Sequence, residues 1–325
     1  MSKYLVTGID GFAGPALANL LFKEGHEIYG LTRRTNGMST DILDTVSPEC
    51  FESIKFVHAN LEDYSSVEKV FIDHKFTGVF HLAAQSHIVV SIKDPVGTFR
   101  DNVMGSVNLI TAIERHNPEC KLMFTSTSEV YGNEGKDGRK IKEDELIAPV
   151  NAYGCTKAAI DLYMQEEMRN DKVDGFIVRP FSYTGIRRGR TFSIASDCYQ
   201  TARIMLGLQE PIIRVGNLGT NRVVMDSKDC VRAMYLLMTH PYSSGHIFNI
   251  CGDVPRKMEF FTDYFIAASG ANIEKVVDPA LLRPIDIYYQ HGDTTALKQL
   301  TGWKTEISIE QTLDDMLKYW IKKLS

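Results

Sequence analysis

The chain has 325 residues, enough for one large domain or two unequal ones. Hydrophobic residues make up 44% and charged residues 24%, an ordinary globular balance that excludes global disorder. A net charge of −5 supplies no basic field for nucleic acid, and no apolar run approaches the roughly 18 residues needed to span a bilayer. The N-terminus runs from Met1 into the strand-like Tyr4-Leu5-Val6 without signal-peptide character. Six cysteines, at 50, 120, 155, 198, 230 and 251, form no CxxC and no metal-ligand spacing. These features predict a soluble cytoplasmic protein with free thiols, no metal, no membrane and no nucleic-acid partner.

Apolar runs at 4–7, 27–31, 54–58, 78–83, 121–126 and 175–180 read as buried parallel strands. Between them lie helix-period segments at 15–24, 65–73, 103–115 and 155–169; in the first, Leu17, Leu20 and Leu21 share a face. Strand–helix alternation at this pace predicts an α/β fold with a doubly wound parallel sheet of the Rossmann type. After about residue 181 the texture changes. Residues 181–222 read as loop-rich, with a basic cluster at 186–190 and an amphipathic helix near 194–206. Then come a helix at 227–239, a strand at 246–251 that rejoins the sheet, and helices at 258–268 and 308–323. The expected organisation is a dinucleotide-binding domain of 1–180 plus about 223–252, and a smaller, interleaved C-terminal substrate domain of about 181–222 plus 253–325.

The first strand ends in Gly8-Ile9-Asp10-Gly11-Phe12-Ala13-Gly14, a GxxGxxG spacing that opens a helix near Pro15. Glycines there allow a tight turn and close approach of backbone to a pyrophosphate at the helix N-terminus. Thr32-Arg33-Arg34 ends the second strand, where an acidic residue suits a ribose 2′-hydroxyl and arginine suits a 2′-phosphate. Arg33 and Arg34 therefore point to NADP over NAD, the alternative being two solvated surface arginines. Leu61 and Asp63, past the third strand, are placed to flank an adenine, and Leu82-Ala83-Ala84 supplies the small residues a closely approaching cofactor requires.

Asn151-Ala-Tyr153-Gly-Cys-Thr-Lys157 begins a helix after Pro149, and a separation of four puts Tyr153 and Lys157 on one face. A lysine beside a phenol is expected to lower its pKa, so that Tyr153 exchanges a proton with a substrate hydroxyl near neutral pH. Ser126, at the end of the fifth strand, is placed to bind the same oxygen.

The glycine loop and the Ser–Tyr–Lys set resemble the extended short-chain dehydrogenase/reductases that act on nucleotide sugars, over nearly the whole chain. Leu82-Ala-Ala-Gln85-Ser86-His87-Ile-Val-Val-Ser91, Ser126-Thr127-Ser128-Glu129-Val-Tyr131-Gly132 and Arg187-Arg188-Gly189-Arg190-Thr191-Phe192 are similar to GDP-mannose 4,6-dehydratases. The C-terminal half, with Arg214-Val-Gly-Asn217, Asp278-Pro, Arg283-Pro284 and Thr301-Gly-Trp303-Lys, is also similar to GDP-4-keto-6-deoxymannose reductases. The resemblance implies oxidation of a GDP-sugar at C4 by NADP, loss of water across C5–C6, and hydride return to C6. Thr127 and Glu129 then act with Tyr153, Glu129 being the base that removes the C5 proton. The alternatives are an NADPH-dependent 4-ketosugar reductase and a C4 epimerase. Gln85, Ser86, Arg188, Arg222 and Arg283 become candidate substrate residues, the arginines meeting phosphate oxygens. A homodimer or homotetramer is likewise implied only by the resemblance.

Two positions depart from the family. Phe181-Ser182 stands where many relatives have Phe-Asn, and Arg222-Val223-Val224-Met225-Asp226 stands where they have Arg-Asp-aromatic. Both fall in the expected substrate domain and leave the identity of the sugar open.

Overall fold

The computed structural model describes residues 1–33, 40–283 and 285–325; Arg34 and Pro284 lie outside them. Seven parallel strands form one sheet, in the spatial order Ile247–Ile250, Gly175–Pro180, Lys121–Thr125, Gly78–His81, Lys3–Thr7, Glu27–Thr32 and Lys55–His58. Six of the seven strands match the apolar runs to within one residue at each end, and Gly78–His81 ends two residues early.

The continuous apolar character of these strands follows from burial on both faces. Side chains alternate along a strand. Tyr4 and Val6 enter a core with Leu17 and Leu21 of helix Gly14–Lys23 and with Val231, Met234 and Leu237 of helix Ser227–Thr239. Leu5, pointing the other way, packs with Phe71, Leu109, Ile113, Ile160 and Met164 on the opposite helix layer. The chain reverses its winding between Lys3–Thr7 and Gly78–His81, which are paired Thr7 to His81. In open α/β sheets the crevice at such a switch point, beyond the carboxyl ends of the strands, is where ligands bind.

Helices Ser193–Met205, Met258–Ser269 and Ile309–Leu324 form a second cluster around Ile194, Cys198, Phe261, Phe265, Leu313 and Met316. The stretch expected to be loop-rich also contains strands. Ile212–Val215 pairs in parallel with Glu274–Val277, and Asn221–Val223 lies between Pro255–Lys257 and Tyr289–Gln290. These strands have two to four residues, too short for a period of two to register in the sequence. Leu297 and Trp303, inside the expected substrate domain, pack instead in the core beneath the main sheet. No helix among the described residues is long and apolar enough to cross a membrane, and no group of metal-binding side chains occurs among them.

Candidate active site

The carboxyl ends of the central strands open into one cavity of about 900 Å³. The candidate residues proposed from the sequence line it, with two exceptions: Arg34 is outside the described residues, and Asp63 instead caps helix Tyr64–Asp73, accepting from Ser65 N–H at 3.1 Å.

Its floor is the glycine turn. Gly8 has φ 69°, and a Cβ there would lie 2.9 Å from the backbone nitrogen of Ala83, so the turn can approach the 82–84 segment only as glycine. Ala83 N–H donates to Thr7 Oγ1 at 3.1 Å, and Thr7 Oγ1 also pairs with His81 Nδ1 at 2.8 Å. His81 Nε2 in turn meets Ser106 Oγ at 2.9 Å, and burial pushes this imidazole down to about 3, so it is neutral. Helix Gly14–Lys23 starts without a side-chain cap, leaving its first N–H groups available to an anion. At the other edge, Arg33 is exposed and lies 4.0 Å from Glu62, which also holds Arg100 at 2.6 Å. Asp101, beside Glu62, has its carboxyl pushed up by burial and then by that neighbouring carboxylate.

Tyr153 and Lys157 lie on the first turns of helix Ala152–Arg169, both buried. Asn151 caps this helix, its Oδ1 accepting from Gly154 N–H at 2.8 Å. The expectation that Lys157 depresses the Tyr153 phenol is corrected here. Burial raises the phenol above its ordinary value, Tyr183 adding to the rise and Thr127 opposing it. Burial also pushes Lys157 down to about 7, against the pull of Asp161. Removing both groups from water favours a neutral phenol and a neutral amine, and Lys157 Nζ sits 4.7 Å from the Phe124 ring centroid.

Thr127 begins the turn Ser128–Tyr131, its Oγ1 accepting from Glu129 N–H at 3.3 Å. That turn carries the half-buried Glu129 into the cavity, where Asn151 Nδ2 donates to its Oε2 at 2.7 Å. One asparagine thus caps the Tyr153 helix and orients the carboxylate. A Cβ at Gly154 would come within 3.0 Å of Glu129 carbonyl oxygen, so glycine lets the helix approach the turn this closely. Ser126 Oγ and Thr125 Oγ1 are buried with no hydrogen-bond partner among the described residues. Native proteins rarely leave such groups unsatisfied unless a ligand or a functional role accounts for them.

The substrate candidates divide. Arg222 is buried and its guanidinium held down by burial, partly offset by Glu129; Arg283 and Asp286 also act on it. Arg283 is exposed on the cavity rim, as is Ser86. Gln85 lines the cavity, and its amide nitrogen donates to His87 carbonyl at 3.3 Å and to Thr98 Oγ1 at 3.0 Å, so both N–H groups are engaged within its own loop. Asn102, in the π-helical turn Arg100–Met104, braces that loop by donating to Gln85 carbonyl at 3.0 Å and Thr156 Oγ1 at 2.9 Å. Arg188 lies 3.6 Å from the Phe192 ring centroid and 4.6 Å from that of Phe12, with Tyr183 stacked on Phe12 at 5.7 Å. The sequence reading passed over Tyr183 and attached no role to Asn151. The N-cap position two residues before Tyr153 was the available signal for Asn151.

The model of the GDP-mannose 4,6 dehydratase family matches residues 5–316. The chain belongs to this family. The GDP-6-deoxy-D-mannose reductase of Pseudomonas aeruginosa is 28% identical over 242 residues, 74% of this chain and 79% of that protein. The GDP-mannose 4,6 dehydratase of Homo sapiens is 26% identical over 340 residues, 96% of this chain and 90% of that one. A solved structure of RMD from Pseudomonas aeruginosa complexed with NADPH shares the fold, with a TM-score of 0.85 at 24% identity over 99% of this chain and 100% of the other. The family holds both a dehydratase and a reductase among these relatives, so membership establishes the enzyme family and the reaction has to be argued from the site.

Proposed function

We propose that the protein is a GDP-sugar 4,6-dehydratase that carries out its chemistry with a tightly held NADP. The observation that carries this reading is Glu129, a carboxylate oriented by Asn151 at 2.7 Å and sharing the cavity with Tyr153. Reduction or oxidation at C4 needs a proton donor and acceptor alone, whereas elimination of water needs a second base for the C5 proton.

The residues fit a nicotinamide dinucleotide. Gly8, Gly11, Phe12 and Gly14 would hold the pyrophosphate over the uncapped helix start, Leu61 the adenine, and Leu82, Ala83 and Ala84 the approach to the nicotinamide. The orphaned Ser126 hydroxyl supports a polar ligand at the same place. Bound there, the cofactor supplies reversible hydride transfer. Arg33, exposed and 4.0 Å from Glu62, suits a 2′-phosphate, with Arg34 as the second candidate. Tyr153 moves the proton of the C4 hydroxyl, Lys157 and Thr127 hold the phenol's surroundings polar, and Glu129 takes the C5 proton and passes it to the departing C6 hydroxyl, which leaves as water. Arg222 and Arg283, with Arg188, are placed for the diphosphate. Ser182, which lines the cavity, and Val223, buried behind it, differ from the usual family residues, so the sugar itself is best found by trial.

A second reading, an NADPH-dependent reductase of a GDP-4-keto-6-deoxy sugar, is favoured by the raised phenol of Tyr153, which is poised to protonate a ketone. One assay separates them. Purified protein is incubated with a panel of GDP-hexoses without added reductant, and product mass is followed. Loss of one water without net cofactor consumption is expected; NADPH oxidation on a 4-keto sugar with no water loss from any hexose would overturn the dehydratase. Glu129→Gln should stop water loss while slow C4 oxidation continues, and full dehydration by that variant would remove Glu129 from its role.

A further inference from the structure

Asp197 is a buried acid that the chemistry above does not use. It lies on helix Ser193–Met205, is 3% exposed, and lines the same cavity as Tyr153 and Arg222. Its Oδ2 accepts from Thr262 Oγ1 at 2.7 Å, a hydroxyl itself fully buried on helix Met258–Ser269. No cation among the described residues acts on it, and burial pushes the carboxyl up to about 7. Ile194, Val224 and Met258, which belong to one apolar cluster, line the same cavity, as do Ser193 and Ser196 on its own helix. A carboxyl group so buried with a single internal hydrogen bond is costly unless a ligand completes its partners.

We infer that Asp197 reads the base of the bound nucleotide, pairing its two carboxylate oxygens with the adjacent N1–H and 2-amino donors of guanine. The inference rests on the nucleotide-sugar reading: a diphosphate held by Arg222 and Arg283 places its nucleoside in the same cavity as Asp197. Among the common bases only guanine presents two neighbouring N–H donors on one edge. Uracil offers a single N–H flanked by carbonyls, while adenine and cytosine pair an amino donor with a ring-nitrogen acceptor. A carboxylate accepts at both oxygens, and Oδ2 retains a lone pair beyond its bond to Thr262. A guanine edge therefore satisfies the acid, while the other bases would set an acceptor against it.

Titration calorimetry on the full chain with GDP, IDP, UDP and XDP tests this. The wild-type protein should bind GDP at least about 10-fold more tightly than IDP, which lacks the 2-amino group, and than UDP. Asp197→Asn should lose on the order of 100-fold in GDP affinity and gain affinity for XDP, whose C2 carbonyl accepts from the new amide; NADPH affinity should not move. That donor-for-acceptor exchange is a response a merely structural role would not produce. GDP affinity in Asp197→Asn within about threefold of wild type overturns the inference. If the variant does not fold, the wild-type comparison decides: equal binding of GDP and IDP overturns it. Equal binding of GDP and UDP overturns the base reading alone, whereas failure of every nucleoside diphosphate to bind removes the nucleotide-sugar reading beneath it too.

Discussion

Asn151 has two jobs in two atoms: Oδ1 caps the Tyr153 helix at 2.8 Å and Nδ2 holds Glu129 at 2.7 Å. The jobs can be separated by substitution. Serine at a cap accepts from the helix N–H as well as asparagine does, but it has no amide to donate. Asn151→Ser is therefore expected to keep its thermal midpoint while kcat for water loss falls on the order of 10-fold with little change in KM. A lowered midpoint with unchanged kcat would show that the cap is its whole contribution. Neither partner of this pair is visible as a pair in the sequence, since 22 positions separate them. What is visible there is each half, the cap before a helix and the acid after a strand.

At the scale of elements, helix Ala152–Arg169 is anchored to the sheet by a polar group of unusual depth. Arg179, on strand Gly175–Pro180, is 1% exposed and donates from Nε to Asp161 Oδ2 at 2.9 Å and from Nη2 to Oδ1 at 2.7 Å. Its Nη1 reaches Tyr131 Oη at 2.9 Å, just past Glu129, and Tyr131 donates to Asn249 Oδ1 at 2.8 Å. One guanidinium thus ties together the helix bearing Tyr153, the turn bearing Glu129 and the sheet. Removing it leaves the buried Asp161 with the Gln165 amide as its remaining side-chain donor and no ion-pair partner, so Arg179→Leu should cost about 3–5 kcal/mol in urea unfolding. A loss below about 1 kcal/mol would mean that water or rearrangement replaces the pair. Arg179 was read from the sequence only as part of a strand, because an arginine in an apolar run gives no sign of a partner on a helix.

For the whole molecule, residues from both the N-terminal stretch and the 181–222 stretch line one cavity, and the proposed ligands divide between them. Hydrogen exchange checks this division. NADPH should slow exchange in residues 3–33 and 78–87, and GDP in 193–205 and 212–223. GDP protection confined to the N-terminal strands would contradict both the domain assignment and the role of Asp197. Most of this architecture was legible in the residues themselves. Apolar runs buried on two faces, the glycine turn and the four-residue spacing of Tyr153 and Lys157 are local patterns, set by strand and helix periods and by backbone sterics. Tertiary structure decided what depends on neighbours distant in the chain. It showed that Leu297 and Trp303 join the main core, that short strands from 212 to 290 pair with one another, and that Gln85 is engaged within its own loop. It also set the direction in which Tyr153 and Lys157 shift from their ordinary values, because desolvation is a property of the packed surroundings and not of the residues that feel it.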